Sequence, residues 1–179
     1  MSSKWNDNDY HPYADAYYPL SKHYGGPGAA GLMKKTGIKG LIVHITDGNS
    51  LLSSLKTTWE NRAASAHFAV DKGGTIAQYI PLSQRSWAVD GWKVDNLWYS
   101  VENVAVHGET LTDMQIRMNG YLLAWLNGEY GVPLKLAATP DDSGLSYHAM
   151  FTKSKPCPGK PVIAQLQDIV DAAVGLNGG

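Results

Sequence analysis

The chain has a single cysteine, Cys157, so no intrachain disulfide is open to it and its stability must come from a packed interior. No apolar run is long enough to span a bilayer. The opening residues, MSSKWNDNDYHPYADAYYPL, lack the apolar stretch of a secretory signal. Charge of one sign is also missing: 15 basic side chains face 16 acidic ones, for a formal net charge of −1. Such a chain gains little from counterion release, and its Lys and Arg are scattered rather than striped, which argues against a nucleic-acid partner. Internal repeats are absent. What remains is 179 residues, 44% of them hydrophobic, enough for one well-buried core and with no mark of disorder.

Residues 1–30 are rich in Tyr, Pro, Gly and Asp and end in HYGGPGAAG, which reads as an irregular arm on a domain covering 31–179. GLIVHIT, from Gly40, is apolar and β-branched, as a buried strand requires, and DGNS follows as a turn. Leu51, Leu52, Leu55 and Trp59 recur at helical spacing, with Asn49 or Ser50 as N-cap. AHFAVD and TIAQYI, separated by KGG, predict a hairpin, and VENVAVH a further strand. Thr112 and Gln115 form a capping box for a helix carrying Ile116, Leu123, Leu126 and Tyr130 on one face. A last helix is expected from Pro161, with Val162, Leu166, Ile169, Val170 and Ala173 on one side, stopping near Gly175. Residues 81–99, with Trp87, Trp92 and Trp98, and residues 137–160 read as long connections, which in compact domains are often functional. The pattern predicts a single α/β domain with a central mixed sheet flanked by helices. The glycine-ending terminus, LNGG, is compatible with the edge of a longer parent chain.

Three roles are open to Cys157: an inert buried thiol, a nucleophile, or a metal ligand. His44 falls near the end of the first buried strand, where a ring nitrogen can project into a cleft from a fixed backbone. His148 and Cys157 lie nine positions apart in YHAMFTKSKPCPG, with Pro156 and Pro158 stiffening the chain beside the thiol. Two imidazoles and a thiolate are a recognised ligand set for zinc with one position left open, and would leave the complex at a net charge of about +1. Singly, each residue has a blander reading, since a histidine on a buried strand or a lone cysteine is more often core.

The segments IVHITDG, SAHFAVDKGGTIAQYIPLSQRSWA, VAVHGETLTDMQ and HAMFTKSKPCPG together resemble the type 2 N-acetylmuramoyl-L-alanine amidases. That family includes phage lysozyme-amidases, bacterial muropeptide amidases and animal peptidoglycan recognition proteins. The resemblance runs from about Gly40 to the final helix. It implies an amidase-like fold with a Zn2+ ion in a surface groove, ligated by His44, His148 and Cys157. The implied reaction is hydrolysis of the amide joining N-acetylmuramic acid to L-alanine in peptidoglycan. Lys155, two residues before the third ligand, matches the position of a lysine that stabilises the developing oxyanion.

Several positions depart from the family pattern. Many members carry a glutamate as general base on the strand that reads here as NVAVHGE. Matching the apolar alternation puts His107 at that position, with Glu109 as the alternative if the strand runs on past Gly108. A tyrosine of other members is replaced by Ala66, and a histidine after the tryptophan of SWA by Ala88. His67 and Trp87 are expected to line the substrate pocket. The resemblance further implies a peptidoglycan or muropeptide substrate, no membrane insertion and a monomer. It points to a lytic endolysin, made in the cytoplasm without a signal and released to the wall through a separate pore. Two other readings stand beside it: a non-catalytic peptidoglycan-binding module, and a thiol hydrolase with Cys157 as nucleophile and His148 as base.

Overall fold

The computed structural model of the chain describes residues 5–34, 36–89 and 91–177. The first four residues of the expected arm, the Trp92 side chain and the final Gly178–Gly179 lie outside the described residues.

Among the described residues six strands make one sheet: β1 (Ala16–Tyr17), β2 (Gly40–Ile45), β3 (Phe68–Val70), β4 (Ile76–Gln78), β5 (Trp98–Asn103) and β6 (Gly144–Tyr147). Their order across the sheet is β1-β4-β3-β5-β2-β6. Of the pairings between these strands, the β3–β4 hairpin is antiparallel and the other four are parallel. All six residues of β2 are buried, as expected of a parallel strand covered on both faces. The helices are α1 (Leu52–Glu60), α2 (Trp92–Asp95), α3 (Asp113–Tyr130), α4 (His148–Phe151), α5 (Lys160–Ala164) and α6 (Leu166–Asn177).

The larger core lies on the face bearing Leu41, Val43, Phe68, Val70, Tyr99 and Val101, against Leu122, Leu123 and Leu126 of α3 and Ile169, Val170 and Ala173 of α6. Truncating any of those fully buried leucines to alanine costs about 2–5 kcal/mol. The capping box of α3 is present, with Thr112 accepting from the Gln115 amide, and Gly131 ends the helix in the left-handed conformation. On the opposite face Ile42 and Trp98 meet Phe151, while Leu52, Leu55 and Trp59 of α1 cover Ala69, Ala77 and Tyr79. His44 and Glu102 alternate onto this second face, because side chains along a strand point to opposite sides in turn.

Some expectations need correction. Leu51 is not on the buried side of α1 but 75% exposed, as the N-cap residue, and neither Asn49 nor Ser50 caps the helix. The final helix is broken at Gln165 into α5 and α6, and α6 runs on past Gly175. The connection 137–160 contains a strand, β6, whose alternation of Leu145 and Tyr147 with Gly144 and Ser146 spans only four residues and follows the turn-forming run TPDDS, so it reads as loop. Its docking on β2 is tight enough that a Cβ on Gly40 would run into the Gly144 carbonyl. Most important, the strand expected as VENVAVH ends at Asn103. Beyond it the chain leaves the sheet, and Gly108, with φ of 92°, takes it through a turn in which the Glu109 amide bonds to the Val106 carbonyl. Residues 5–30 include a short pairing with the sheet, Ala16 and Tyr17 against Ala77 and Gln78.

A ladder of buried amides ties α3 to the ends of the central strands. Asn103 donates to the His44 carbonyl at 3.2 Å, and Asn119 donates to Asn103 at 2.7 Å. Gln115 donates to the carbonyls of Val70 and Val104. Removing one member leaves its buried partner unsatisfied, at a cost of about 1–3 kcal/mol. Asn119→Ala is therefore expected to lower unfolding free energy by about 2 kcal/mol in a urea titration, whereas alanine at exposed Leu51 should change it by less than about 0.5 kcal/mol.

Candidate metal centre and active-site groove

Two register positions create the site. In the β2–β6 ladder Val43 lies opposite Tyr147, and in the β2–β5 ladder His44 lies opposite Glu102. His148 follows Tyr147 directly, at the first position of α4. Glu102, His44 and His148 are thus neighbours at the carboxyl ends of three parallel strands, where open α/β sheets place ligand sites. The His44 and His148 ring centroids are 4.6 Å apart. Cys157 reaches the same point from the loop after α4: its Sγ accepts from the Ile45 amide at 3.3 Å, and its carbonyl accepts from the Ala149 amide at 2.9 Å. One ligand atom from each of His44, His148 and Cys157 lies within 4.8 Å of the others.

The groove above these atoms has a volume of about 370 Å³, and its lining includes Glu102, Lys155, Trp59, Arg62 and Trp87 besides the three candidate ligands. Burial acts strongly on its floor. His44 is 2% exposed, and burial, followed by the neighbouring His148, holds its imidazole well below its usual pKa, so it is neutral and able to ligate. Its Nε2 is buried without a hydrogen-bond partner among the described residues. Burial pushes the Glu102 carboxyl up to about 8, and its Oε2 is likewise buried and unpartnered. The Cys157 thiol is pushed up to about 12, first by burial and then by Glu102. This is the reverse of an activated nucleophile, which needs a lowered thiol pKa, and it weighs against the thiol-hydrolase reading. A divalent cation would satisfy the unpartnered Nε2 and displace the thiol proton, so the residues present fit a metal ion.

The expected site residues divide. His44, His148, Cys157, Lys155 and Trp87 all border the groove. His67 does not: it is fully buried, its Nε2 bonding the Gln84 carbonyl at 3.0 Å and its Nδ1 accepting from the Ser100 amide at 3.2 Å. Both ring nitrogens are engaged within the protein, so it braces β3 against β5 instead of facing substrate. His107 is exposed outside the groove, and its amide donates to Asp47. Glu109 is bound to Lys72 Nζ at 3.0 Å and to the Val106 amide at 2.9 Å, away from the candidate ligands. Two acids border the groove, Asp47 and Glu102; Glu102, opposite His44 and with its Oε2 buried, is the one at the floor, and motif and spacing do not single it out. The signal for it is an ionisable residue inside an apolar strand, WYSVEN, where charge is rarely buried without a task.

A family model described as N-acetylmuramoyl-L-alanine amidase matches residues 34–160. Solved structures with the same fold include an N-acetylmuramoyl-L-alanine amidase, LysC, from Clostridium intestinale, 17% identical with a TM-score of 0.59, covering 90% of this chain and 97% of that one. The hydrolase AmiA of Staphylococcus aureus, solved with its ligand, is 20% identical with a TM-score of 0.61, covering 94% and 86%. A mutant endolysin from Bacillus subtilis is 17% identical with a TM-score of 0.61, covering 89% and 99%. No curated protein matches the chain.

Changing His44, His148 or Cys157 singly to Ala is expected to weaken divalent-metal binding at least about 100-fold, read by elemental analysis after dialysis against a competing chelator; retention of stoichiometric metal in all three variants would remove the site. Acid should destabilise the fold through His67. Its imidazole titrates near 6.5 when free and at about 3 in the fold, so protons bind the unfolded chain preferentially between those values. Stability present above pH 6.5 is lost as pH falls toward 3, and His67→Gln is expected to flatten that part of a melting-temperature profile.

Proposed function

Since the chain belongs to the N-acetylmuramoyl-L-alanine amidase family, whose model matches residues 34–160, we propose that it is a zinc-dependent amidase cleaving the bond between N-acetylmuramic acid and L-alanine in peptidoglycan. The observation that carries this reading is the convergence of His44, His148 and Cys157 within 4.8 Å of one another on the floor of a groove that also holds an unpartnered carboxyl oxygen.

His44, His148 and Cys157 would hold the zinc. A zinc ion with such ligands supplies Lewis acidity, enough to polarise an amide carbonyl and bring the pKa of water to about 7. Glu102, rather than His107 or Glu109, is the general base in this proposal. Its carboxylate takes a proton from the attacking water as the oxygen joins the carbonyl carbon. It then returns that proton to the alanine nitrogen as the carbon–nitrogen bond breaks, so one water is consumed and a carboxylic acid and a free amine are released. Burial raises the carboxyl's affinity for a proton and a bound cation would lower it, two opposed effects that suit a group which must both take and return one. Lys155, exposed at the rim beside Pro156, supplies a positive charge to the oxyanion that develops on the carbonyl oxygen. Trp87 offers an aromatic wall against which a sugar ring or peptide plane can stack.

The biological setting we propose is lysis of the bacterial wall by an endolysin-type enzyme. Intact sacculi should then be attacked as readily as soluble fragments; an enzyme that turns over only soluble muropeptides would have a recycling role instead. Mass spectrometry of digested sacculi is expected to find free stem peptides beginning with alanine and lactyl-terminated glycan. Binding to sacculi without release of new amino groups would replace the amidase by the non-catalytic module.

Glu102→Gln is expected to retain metal while lowering kcat by about 10²–10⁴, and Lys155→Ala to lower it by about 10²–10³. His107→Ala and Glu109→Gln should leave kcat within about twofold. If either of these last two abolished turnover while E102Q did not, the assignment of the base would be reversed.

A further inference from the structure

We propose that the N-terminal arm is part of the substrate-binding machinery, with His23 as a positioning residue that locks Trp87 into the groove wall. The arm precedes residue 34, where the family match begins. Three of its features converge on one groove-lining tryptophan.

The Trp87 indole Nε1 donates to the Gly25 carbonyl at 2.9 Å. The Trp87 amide donates to Ser65 Oγ at 3.0 Å, and the same hydroxyl donates to the His23 carbonyl, so Ser65 bridges arm and tryptophan. The His23 ring lies against the Trp87 ring, centroids 5.6 Å apart and planes at 34°. His23 is itself fixed by a bond from Nδ1 to the Trp59 carbonyl at 2.7 Å, and Trp59 also borders the groove. The backbone at His23 has φ of 63°, a left-handed conformation uncommon outside glycine, although histidine enters it more readily than most side chains. Gly25, at φ of 65°, completes the bend that turns its carbonyl toward the indole.

These contacts fix both the backbone and the ring of Trp87 without touching the candidate ligands or Glu102. His23 is not among the groove-lining residues, so its influence on a ligand passes through neighbours that are, Trp87 first, with Ser65 and Trp59 beside it. A pre-ordered aromatic wall spares a bound glycopeptide the entropy of ordering it, which tightens ground-state binding more than it speeds bond cleavage. The inference rests on the amidase reading for the identity of the ligand, but not for the locking of Trp87.

The test compares His23→Ala with His23→Asn, since asparagine tolerates the left-handed backbone and its amide can donate to the Trp59 carbonyl. Kinetics on a soluble muropeptide are paired with hydrogen exchange of the Trp87 indole N–H followed by NMR. H23A is expected to raise KM about 3- to 10-fold with kcat within about twofold and metal content unchanged, and to speed indole exchange at least about tenfold. H23N should recover most of both losses. Ser65→Ala, which removes the bridging hydroxyl but not the left-handed residue, should move KM in the same direction and serves if H23A does not fold. Unchanged KM in both H23A and S65A, or a fall in kcat that accompanies loss of metal, would overturn the proposal. If the unaltered protein fails to cleave muropeptides, the amidase reading falls separately. The arm is then judged by the muropeptide Kd from tryptophan quenching, with the same weakening of about 3- to 10-fold expected and an unchanged Kd counting against it.

Discussion

The parallel pairing of β5, β2 and β6 is the constraint on which the rest of the site depends. Because β2 carries Gly40 opposite both Trp98 and Gly144, the strands advance in step, and three neighbouring chains finish side by side with Glu102, His44 and His148. A slip of one residue in either ladder would turn a whole strand over and send its chemistry-bearing side chain into the opposite core. Several features hold that register. The absence of a side chain at Gly40 permits the close approach of β6. The Asn103–Asn119–Gln115 amides fasten the strand ends from the α3 side. The Ile45 amide bonds to the Cys157 sulfur and draws the last loop inward.

The same arrangement creates an electrostatic tension. Nε2 of His44 and Oε2 of Glu102 are shut away from water without a protein partner among the described residues, and a buried polar group left in that condition costs about 1–3 kcal/mol. The surrounding fold is large enough to tolerate this, with a continuous core on the far side of the sheet. Polar atoms left unsatisfied at the floor of an open groove are a feature of a site built for something that arrives later. By contrast His67, equally buried, has both nitrogens satisfied, and its role ends with the packing of β3 on β5. An open ring nitrogen is not enough by itself, since buried His11 also has an unpartnered Nε2; what sets His44 apart is a second imidazole and a thiol within reach of it.

The groove is made from two kinds of backbone. Its floor is the rigid end of a parallel sheet, suited to holding reacting groups at fixed distances. Its wall is loop and arm, with Trp87 supported by Gly25, Ser65 and His23. Loops vary more readily than the elements they connect, so such a wall can change without disturbing the floor.

Much of the architecture was legible in the amino-acid order, because it is local. The apolar run around His44, the KGG hairpin and the Thr112–Gln115 capping box each depend on neighbours a few residues apart, and each has its counterpart in the fold. The residues His44, His148 and Cys157 could also be picked out by type and motif. What local pattern misjudged was where β5 stops and that β6 exists. VAVH continues the β-branched alternation of a strand, yet Gly108 and the turn to Glu109 carry it off the sheet. The GLSY segment is too short for its alternation to stand out after the turn residues before it, and its pairing with β2 is what makes it a strand. Strand ends are decided by which partner remains available for hydrogen bonding, a property of segments far apart in the chain. The sequence alone therefore determined the fold class and the candidate ligand types. Only tertiary register decided that Glu102, and not His107 or Glu109, shares the groove with them.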